Sequence, residues 1–396
     1  MSERVLLHVG TPKTGTSYLQ EVLFRNRRTL LRSGILYPLE RRDAHFRAAL
    51  DLVEHPWGGI GTASAGAWDR LAAQVREHRG TSVVSHEILA SASRDQADRA
   101  LASLGHGTGA EVHLVLTVRD LVRQIPAEWQ ENLKHRGFLT YGEFVEQLVD
   151  PRRESRTADW FWRVQEIPDV LDRWGHDLPP GHVHLVTVPP PGSPQPQLWE
   201  RFSRALGLDE IDVDLHAERS NPSLGVPETA LLRRVNEAVD GRLDLADYRP
   251  LVRRLLAQRT LAHRTGSPRL ALPPDVHPWA SEVVASWVAE VERRGYDVVG
   301  DLRDLVGAPP EAPYADPDRP AEEQVAAAAV DAVEALLLEG ARLRRTAEAW
   351  RRELDATGRP AYRWRSRVVR RLEAARSGRA ALRAYRRVRG RSSRAA

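Results

Sequence analysis

Short apolar runs rich in β-branched residues punctuate the first half of the chain, with stretches of helical spacing between them. Val5-Leu6-Leu7-His8-Val9 is apolar at positions facing both ways and reads as a buried strand over residues 4–9. From Thr16 to Arg32 the apolar positions recur every three or four residues, which predicts a helix. Ile35-Leu36-Tyr37-Pro38 reads as a short second strand, and helices are expected near 43–54 and 66–79. Thr81-Ser82-Val83-Val84-Ser85 is the next strand, followed by a helix near 93–104 and a strand over Glu111–Val118. A helix then runs to about His135, kinked or started at Pro126. A further helical stretch over 157–174 precedes the strand at 182–188, which three prolines close. Strands alternating with helices predict an α/β fold with a doubly wound, mainly parallel sheet.

Beyond residue 210 the strand signals fade. Helical patterns occupy about 227–239, 247–264 and 278–294. The proline-rich stretch from Ala308 to Pro320 reads as a linker. A long amphipathic helix is expected over 321–356, with Val325, Ala328, Val333, Leu336 and Leu337 on its apolar side. The predicted organisation is an α/β body over 1–307, helical from about 226, a linker over 308–320, and a helical, Arg-rich extension over 321–396.

Between the first strand and the first helix lie Gly10-Thr11-Pro12-Lys13-Thr14-Gly15-Thr16-Ser17. Strand, Gly-rich loop and helix in that order make a cradle for phosphate. Loop N–H groups and the positive end of the helix dipole face the anion, and glycine lets the backbone approach it. The pattern is not that of a nucleoside-triphosphate P-loop, which places lysine directly after the second glycine. Here Lys13 precedes Gly15 by two residues.

Composition sharpens this loop's standing. Of 58 basic residues only Lys13 and Lys134 are lysines, so one of the chain's two ammonium groups sits in the loop. Where arginine is otherwise used throughout, a lysine marks a position suited to a compact cation rather than a planar fork. The chain has no cysteine, which excludes disulfides and thiolate metal sites. The first residues hold no signal-like apolar segment and no run of 18 apolar residues occurs, so a cytoplasmic location is expected. Charge is uneven. From Arg342 onward nineteen arginines face four acidic residues, a net of +15; the whole chain carries +4, which leaves −11 on the preceding 341 residues.

The segment Pro12-Lys13-Thr14-Gly15-Thr16-Ser17 resembles the 5′-phosphosulfate loop of sulfotransferases that use 3′-phosphoadenosine 5′-phosphosulfate (PAPS). The resemblance spans roughly residues 4–225. It implies that Lys13 neutralises charge on the leaving group and that Thr14, Gly15, Thr16 and Ser17 hold the 5′-phosphate. Tyr18 falls where many members stack an aromatic ring on adenine. Arg119, at the end of the strand over 111–118, matches the arginine that binds the 3′-phosphate, although Arg119-Asp120 is also placed to cap the next helix. The family has a serine eight residues further on; this chain has Ala127, leaving Arg123, Gln124 or the Trp129 indole to supply that contact. His86 and Glu87, just past the strand over 81–85, both fit the position of the base. Glu87 matches a Ser-x-Glu pattern associated with bacterial members. Arg219-Ser220-Asn221-Pro222-Ser223 resembles a segment that closes over the nucleotide.

The expected activity is therefore transfer of a sulfuryl group from PAPS, with no metal, to a hydroxyl or amine of a carbohydrate, glycolipid or small metabolite. A P-loop-type small-molecule kinase and a non-catalytic nucleotide-binding protein acting through its basic tail are the alternatives. Trp160, Trp162 and Trp174 read as core or groove lining, and Trp160 and Trp162 are also candidates to line a sugar cleft. His182 and His184 lie on one strand face; lacking a third ligand at metal spacing, they read as structural. The basic tail suits a membrane surface or an acidic partner, with no specific nucleic acid expected.

Overall fold

The computed structural model describes residues 2–38, 41–57, 60, 62–194, 196–216, 223–307 and 313–358. The chain divides into two compact units, Met1–Asp331 and Ala332–Ala396.

The first unit is built on six parallel strands: β1 (Arg4–Gly10), β2 (Ile35–Leu36), β3 (Thr81–Ser85), β4 (Glu111–Val118), β5 (Val183–Thr187) and β6 (Asp297–Val299). Their order across the sheet is β2-β3-β1-β4-β5-β6. Among the helices are α1 (Thr16–Arg32), α2 (Ala44–Leu52), α3 (Ala67–Glu77), α4 (Arg94–Ser103), α5 (Leu121–Lys134), α6 (Tyr141–Val149), α7 (Arg156–Gln165), α8 (Ile167–Gly175), α9 (Gln197–Leu206) and α10 (Val226–Val239). The expected doubly wound α/β fold is what forms. The apolar runs of β1 and β4 are buried on both faces, which places them at the centre of the sheet. Leu6, Val83, Val115 and Val186 face one layer, where Leu19, Val22 and Leu23 of α1 meet Trp199, Phe202 and Leu206 of α9. Leu114 faces the other way, towards Gly175 at the end of α8.

After β1 the chain turns towards β2 and β3; after β4 it turns towards β5 and β6. The switch point therefore lies between the adjacent strands β1 and β4. That crevice, at the carboxyl ends of the strands, is where open α/β sheets bind ligands.

Four expectations change. The sheet gains β6, which has only three residues and begins two positions after Gly295, the left-handed cap of the helix His277–Arg294. So short an edge strand carries no periodicity. α5 starts at Leu121, not at Pro126, because the Asp120 side chain accepts the Arg123 N–H at 2.8 Å and caps it. The stretch expected as one helix over 247–264 is a short α-turn, Leu245–Tyr248, followed by a wide, π-type helix over Arg249–Thr260. The stretch expected over 157–174 breaks into α7 and α8, with Pro168 in the first turn of α8.

Residues 313–320 of the expected linker belong to the first unit. Asp318 accepts the N–H groups of Tyr141 and Gly142, each at 2.8 Å, at the start of α6. The long helix Glu322–Gly358 matches its expected span. Val325 and Ala328 are buried, whereas Val333, Leu336 and Leu337 are exposed. Among the described residues no helix is long and apolar enough to cross a membrane.

Candidate active site at the switch point of the sheet

The loop after β1 is held by its backbone and by a buried polar chain beneath it. Gly10, Lys13 and Gly15 all have left-handed φ, at 85°, 65° and 85°. A Cβ at Gly10 would lie 2.7 Å from the Glu87 Cα, and one at Gly15 would lie 2.5 Å from Leu198 Cδ2. The Thr11 N–H donates to the Thr117 carbonyl at 2.8 Å, and the Thr14 hydroxyl donates to the Thr11 carbonyl at 2.6 Å. With its hydrogen so used, Thr14 accepts from the Thr117 hydroxyl at 2.6 Å. Thr117 in turn accepts from His8 Nε2 at 3.1 Å, which leaves His8 Nδ1 to accept from Ser85 at 2.8 Å. Burial pushes the His8 imidazole down to about 3, so it stays neutral in this chain. Four side chains from β3, β1, β4 and the loop are thereby ordered in one direction.

Gly10→Ala tests this packing. The new Cβ meets backbone, not a flexible side-chain tip, and φ is left-handed. Left-handed strain and overpacking together are expected to cost about 2–5 kcal/mol, read as a lower urea midpoint. An unchanged midpoint would contradict the fit of Gly10 against Glu87.

No side chain caps α1 and no acidic residue of its own lies in its first turn. Thr16 is buried and Ser17 exposed. Tyr18 is half-buried and packs against the α1–α9 cluster; burial and then Glu200 push its hydroxyl up.

The opposite wall of the crevice is α5. Gln124, Glu128 and Glu131, spaced by four and three, present one helical stripe to the loop. Gln124 Nε2 donates to the Pro12 carbonyl at 2.7 Å, joined by Gln165 Nε2 at 3.3 Å. Lys13 pairs with Glu131, and so does Lys134 at 4.0 Å: both lysines of the chain converge on one carboxylate. His135 at 3.1 Å and Arg253, from the π-type helix, at 3.2 Å complete the cluster. Burial alone would raise the Glu131 carboxyl, but His135, Lys13 and Lys134 hold it far below the usual range. Burial pushes the Lys134 ammonium down to about 8, against the pull of Glu131. Glu128 is buried and pushed up by that burial, against the charge of Lys13; its Oε2 has no hydrogen-bond partner.

Arg119 stands at the end of β4, beside β1. One Nη donates to the Arg123 carbonyl at 2.7 Å, and the buried Nε has no partner. Burial pushes its guanidinium down to about 10. Arg123 is committed elsewhere. It pairs with Asp120 and donates to the carbonyls of Pro189 at 2.9 Å and Val188 at 3.5 Å, tying α5 to the end of β5. Of the substitutes for a serine at Ala127, the Trp129 indole is also occupied, donating to the Leu139 carbonyl at 3.0 Å from within the core. Gln124 keeps a buried Oε1 without a partner.

His86 and Glu87 stay close just past β3, with His86 Nδ1 3.8 Å from Glu87 Oε2, but they make different further contacts. His86 Nδ1 accepts the Ile88 N–H at 3.2 Å, and its buried ring lies 5.4 Å from that of Phe46. Burial lowers its pKa. Glu87 turns towards α1 and accepts from Gln20 Nε2 at 2.9 Å. Burial would raise its carboxyl, but His86, a backbone N–H, Gln20 and Thr16 together hold it below the ordinary value.

A loose ring of aromatic side chains joins these groups. Phe46 and Trp57 are 6.0 Å apart, Trp57 and His135 5.4 Å, and His55 lies 5.3 Å from Trp57 and 5.8 Å from Trp160. Trp160 hydrogen-bonds Glu128. Trp162 is not part of this ring. It is 3% exposed, donates to the Leu148 carbonyl at 3.1 Å and packs against Trp279 and Trp287, so its candidacy for a cleft falls. Trp174 is core. Arg219, Ser220, Asn221 and Pro222 lie outside the described residues.

The crevice thus brings together Pro12, Lys13, Thr14, Gly15, Thr16, Gln124 and Arg119, with Glu87 behind Gly10 and Thr16, and turns Arg123 away. Glu128, Glu131 and Trp57 were missed. The signal for the first two was present: with Gln124 they are polar residues four and three apart, on one face of the helix. No family model, no curated protein and no solved structure matches this chain.

Proposed function

We propose that this chain is a sulfotransferase that moves a sulfuryl group from PAPS to a hydroxyl or amine of a carbohydrate, glycolipid or small-metabolite acceptor. The observation that carries the reading is the pair of cations at the switch point: Lys13 in a left-handed loop after β1, and Arg119, with a buried, unpartnered Nε, at the end of β4. Two anionic ends of one nucleotide suit these two positions. The uncapped N-terminus of α1 and the N–H groups of Thr14, Gly15 and Thr16 suit the 5′-phosphosulfate. Arg119 suits the 3′-phosphate.

In the reaction the acceptor O–H gives its proton to the Glu87 carboxylate, and the freed oxygen forms a bond to sulfur. The bond from sulfur to the 5′-phosphate oxygen breaks, and 3′-phosphoadenosine 5′-phosphate leaves with the electron pair. Lys13 exchanges Glu131 for that oxygen and neutralises the charge that builds on it. The remaining cations around Glu131 keep its carboxylate satisfied while Lys13 is engaged. Trp57 and Trp160 offer ring faces to a sugar or another flat acceptor. The Arg-rich segment from Arg342 onward is assigned contact with an acidic surface, membrane or protein; its residues beyond 358 lie outside the described residues.

Calorimetric titration at fixed salt tests the donor site. 3′-Phosphoadenosine 5′-phosphate is expected to bind more tightly than ADP without added Mg²⁺, and preference for Mg·ATP would replace this reading with a kinase. Arg119→Ala is expected to weaken the 3′-phosphorylated nucleotide about 10–100-fold while leaving ADP affinity near native, the usual cost of a charge-assisted contact. Equal loss for both nucleotides would remove Arg119 from 3′-phosphate recognition.

A further inference from the structure

At the amino-terminal edge of the sheet, away from the crevice, a second polar cluster spans three strands. Glu111 and His113 alternate on one face of β4, His182 and His184 alternate at the start of β5, and Asp297 opens β6 in register with His184. β4 has eight residues, so this cluster lies about 20 Å from the carboxyl end of the sheet.

Its hydrogen bonds leave one donor short. Asp297 accepts from His184 Nδ1 at 2.7 Å, which makes His184 Nε2 an acceptor. His184 Nε2 takes the Nδ1–H of His113 at 2.8 Å. His113 Nε2 then presents a lone pair to Glu111 Oε1 at 2.5 Å, and a carboxylate is an acceptor only. Two neutral imidazoles bring two hydrogens to three contacts, so the gap between His113 and Glu111 takes either a third proton or a metal cation. A third ligand stands at the same gap. The His182 ring stacks on His113 at 4.3 Å, its Nε2 lies 3.8 Å from Glu111 Oε1, and the donor atoms of Glu111, His113 and His182 all fall within 4.8 Å of one another.

We infer that Glu111, His113 and His182 form a binding site for a zinc-class divalent cation. Tetrahedral zinc with bonds near 2.0–2.1 Å separates its ligands by about 3.3 Å. From 2.5 Å to His113 and 3.8 Å to His182, Glu111 needs to move by less than about 1 Å to reach that spacing, while closing the His113–His182 pair, within 4.8 Å, falls to the partly exposed His182. Its side chain is 53% exposed and free to do so. The chain His113–His184–Asp297 supplies what metal-bound histidine usually has, a partner on the second ring nitrogen that ends on a carboxylate and fixes the tautomer. Three protein ligands leave a fourth position for water. Arg4, in register with Glu111 on β1, is the competing cation for that carboxylate. This site stands apart from the sulfotransferase reading, and neither depends on the other.

The test is titration of the chelator-stripped full chain with Zn²⁺ alone, followed by calorimetry and by thermal melting. One equivalent is expected to bind and raise the melting temperature. His182→Ala and Glu111→Gln should each weaken this binding at least tenfold, and Asp297→Asn about 10–100-fold through loss of the outer carboxylate. Far-UV dichroism of each metal-free variant checks that it folds, and His182 and Glu111, partly exposed, are the safest to change. Cobalt(II) in place of zinc should give the visible bands of a tetrahedral centre. Absence of zinc binding, or binding indifferent to both His182→Ala and Glu111→Gln, would overturn the site and leave a shared-proton histidine chain. Turnover and nucleotide binding play no part in the readout, so failure of the donor assignment leaves it untouched.

Discussion

Lys13→Ala is expected to lower PAPS-dependent turnover by about 10³-fold or more with little loss of stability, the scale seen when a cation that meets developing charge in acyl or phosphoryl transfer is removed. The fold should survive for a reason visible in the site. Lys13 gives one of four side-chain contacts to Glu131, and those of Lys134, His135 and Arg253 remain. Alanine also bears the same left-handed backbone that lysine already tolerates at φ 65°. Single-turnover rates with saturating donor, beside a urea melt, check both halves. Lys13→Arg should not restore the rate, because a planar fork does not deliver a point charge at the same place. Turnover within tenfold of native in Lys13→Ala would sink the assignment of the loop.

The second large effect is expected at Glu87. Glu87→Gln should reduce kcat by about 10²–10⁴-fold, the usual contribution of a general base, whereas His86→Asn should stay within about tenfold. The geometry separates the neighbours. His86 is buried with Nδ1 already accepting from Ile88, while Glu87 faces the first turns of α1 and, as an ionised carboxylate, has acceptor capacity beyond its contact with Gln20. Its lowered pKa sets the direction of the pH profile. Glu87 is expected to be ionised at neutral pH, and the rate to fall only as pH drops through that lowered value, beneath the ordinary carboxylate range. The same shift contributes stability above the unfolded-state pKa that is lost as pH falls through the folded-state value. A rate loss in His86→Asn with Glu87→Gln near native would move the role to His86.

How much of this was legible in the chain differs element by element. The ranges of β3 and β4 match the predicted runs residue for residue, because β-branched residues concentrate in both strands. β6 left no such text, since three residues at a sheet edge are specified by the neighbour they pair with. Trp160 and Trp162 look alike in sequence, yet one faces the aromatic ring of the site and the other the core. Two positions apart on a helix is about 200° of rotation, and only packing says which side is which.

By itself the sequence determined the α/β alternation, the Gly-rich loop between β1 and α1 and the singular position of Lys13. These rest on local patterns: period, turn chemistry and the choice of lysine over arginine. Only the tertiary structure decided that Lys13 and Lys134, 121 positions apart, share Glu131, that Arg123 is spent on Asp120 and β5, and that histidines of two strands line up with Glu111 and Asp297. Those contacts arise from strand order and register, which bring together side chains that no local rule connects.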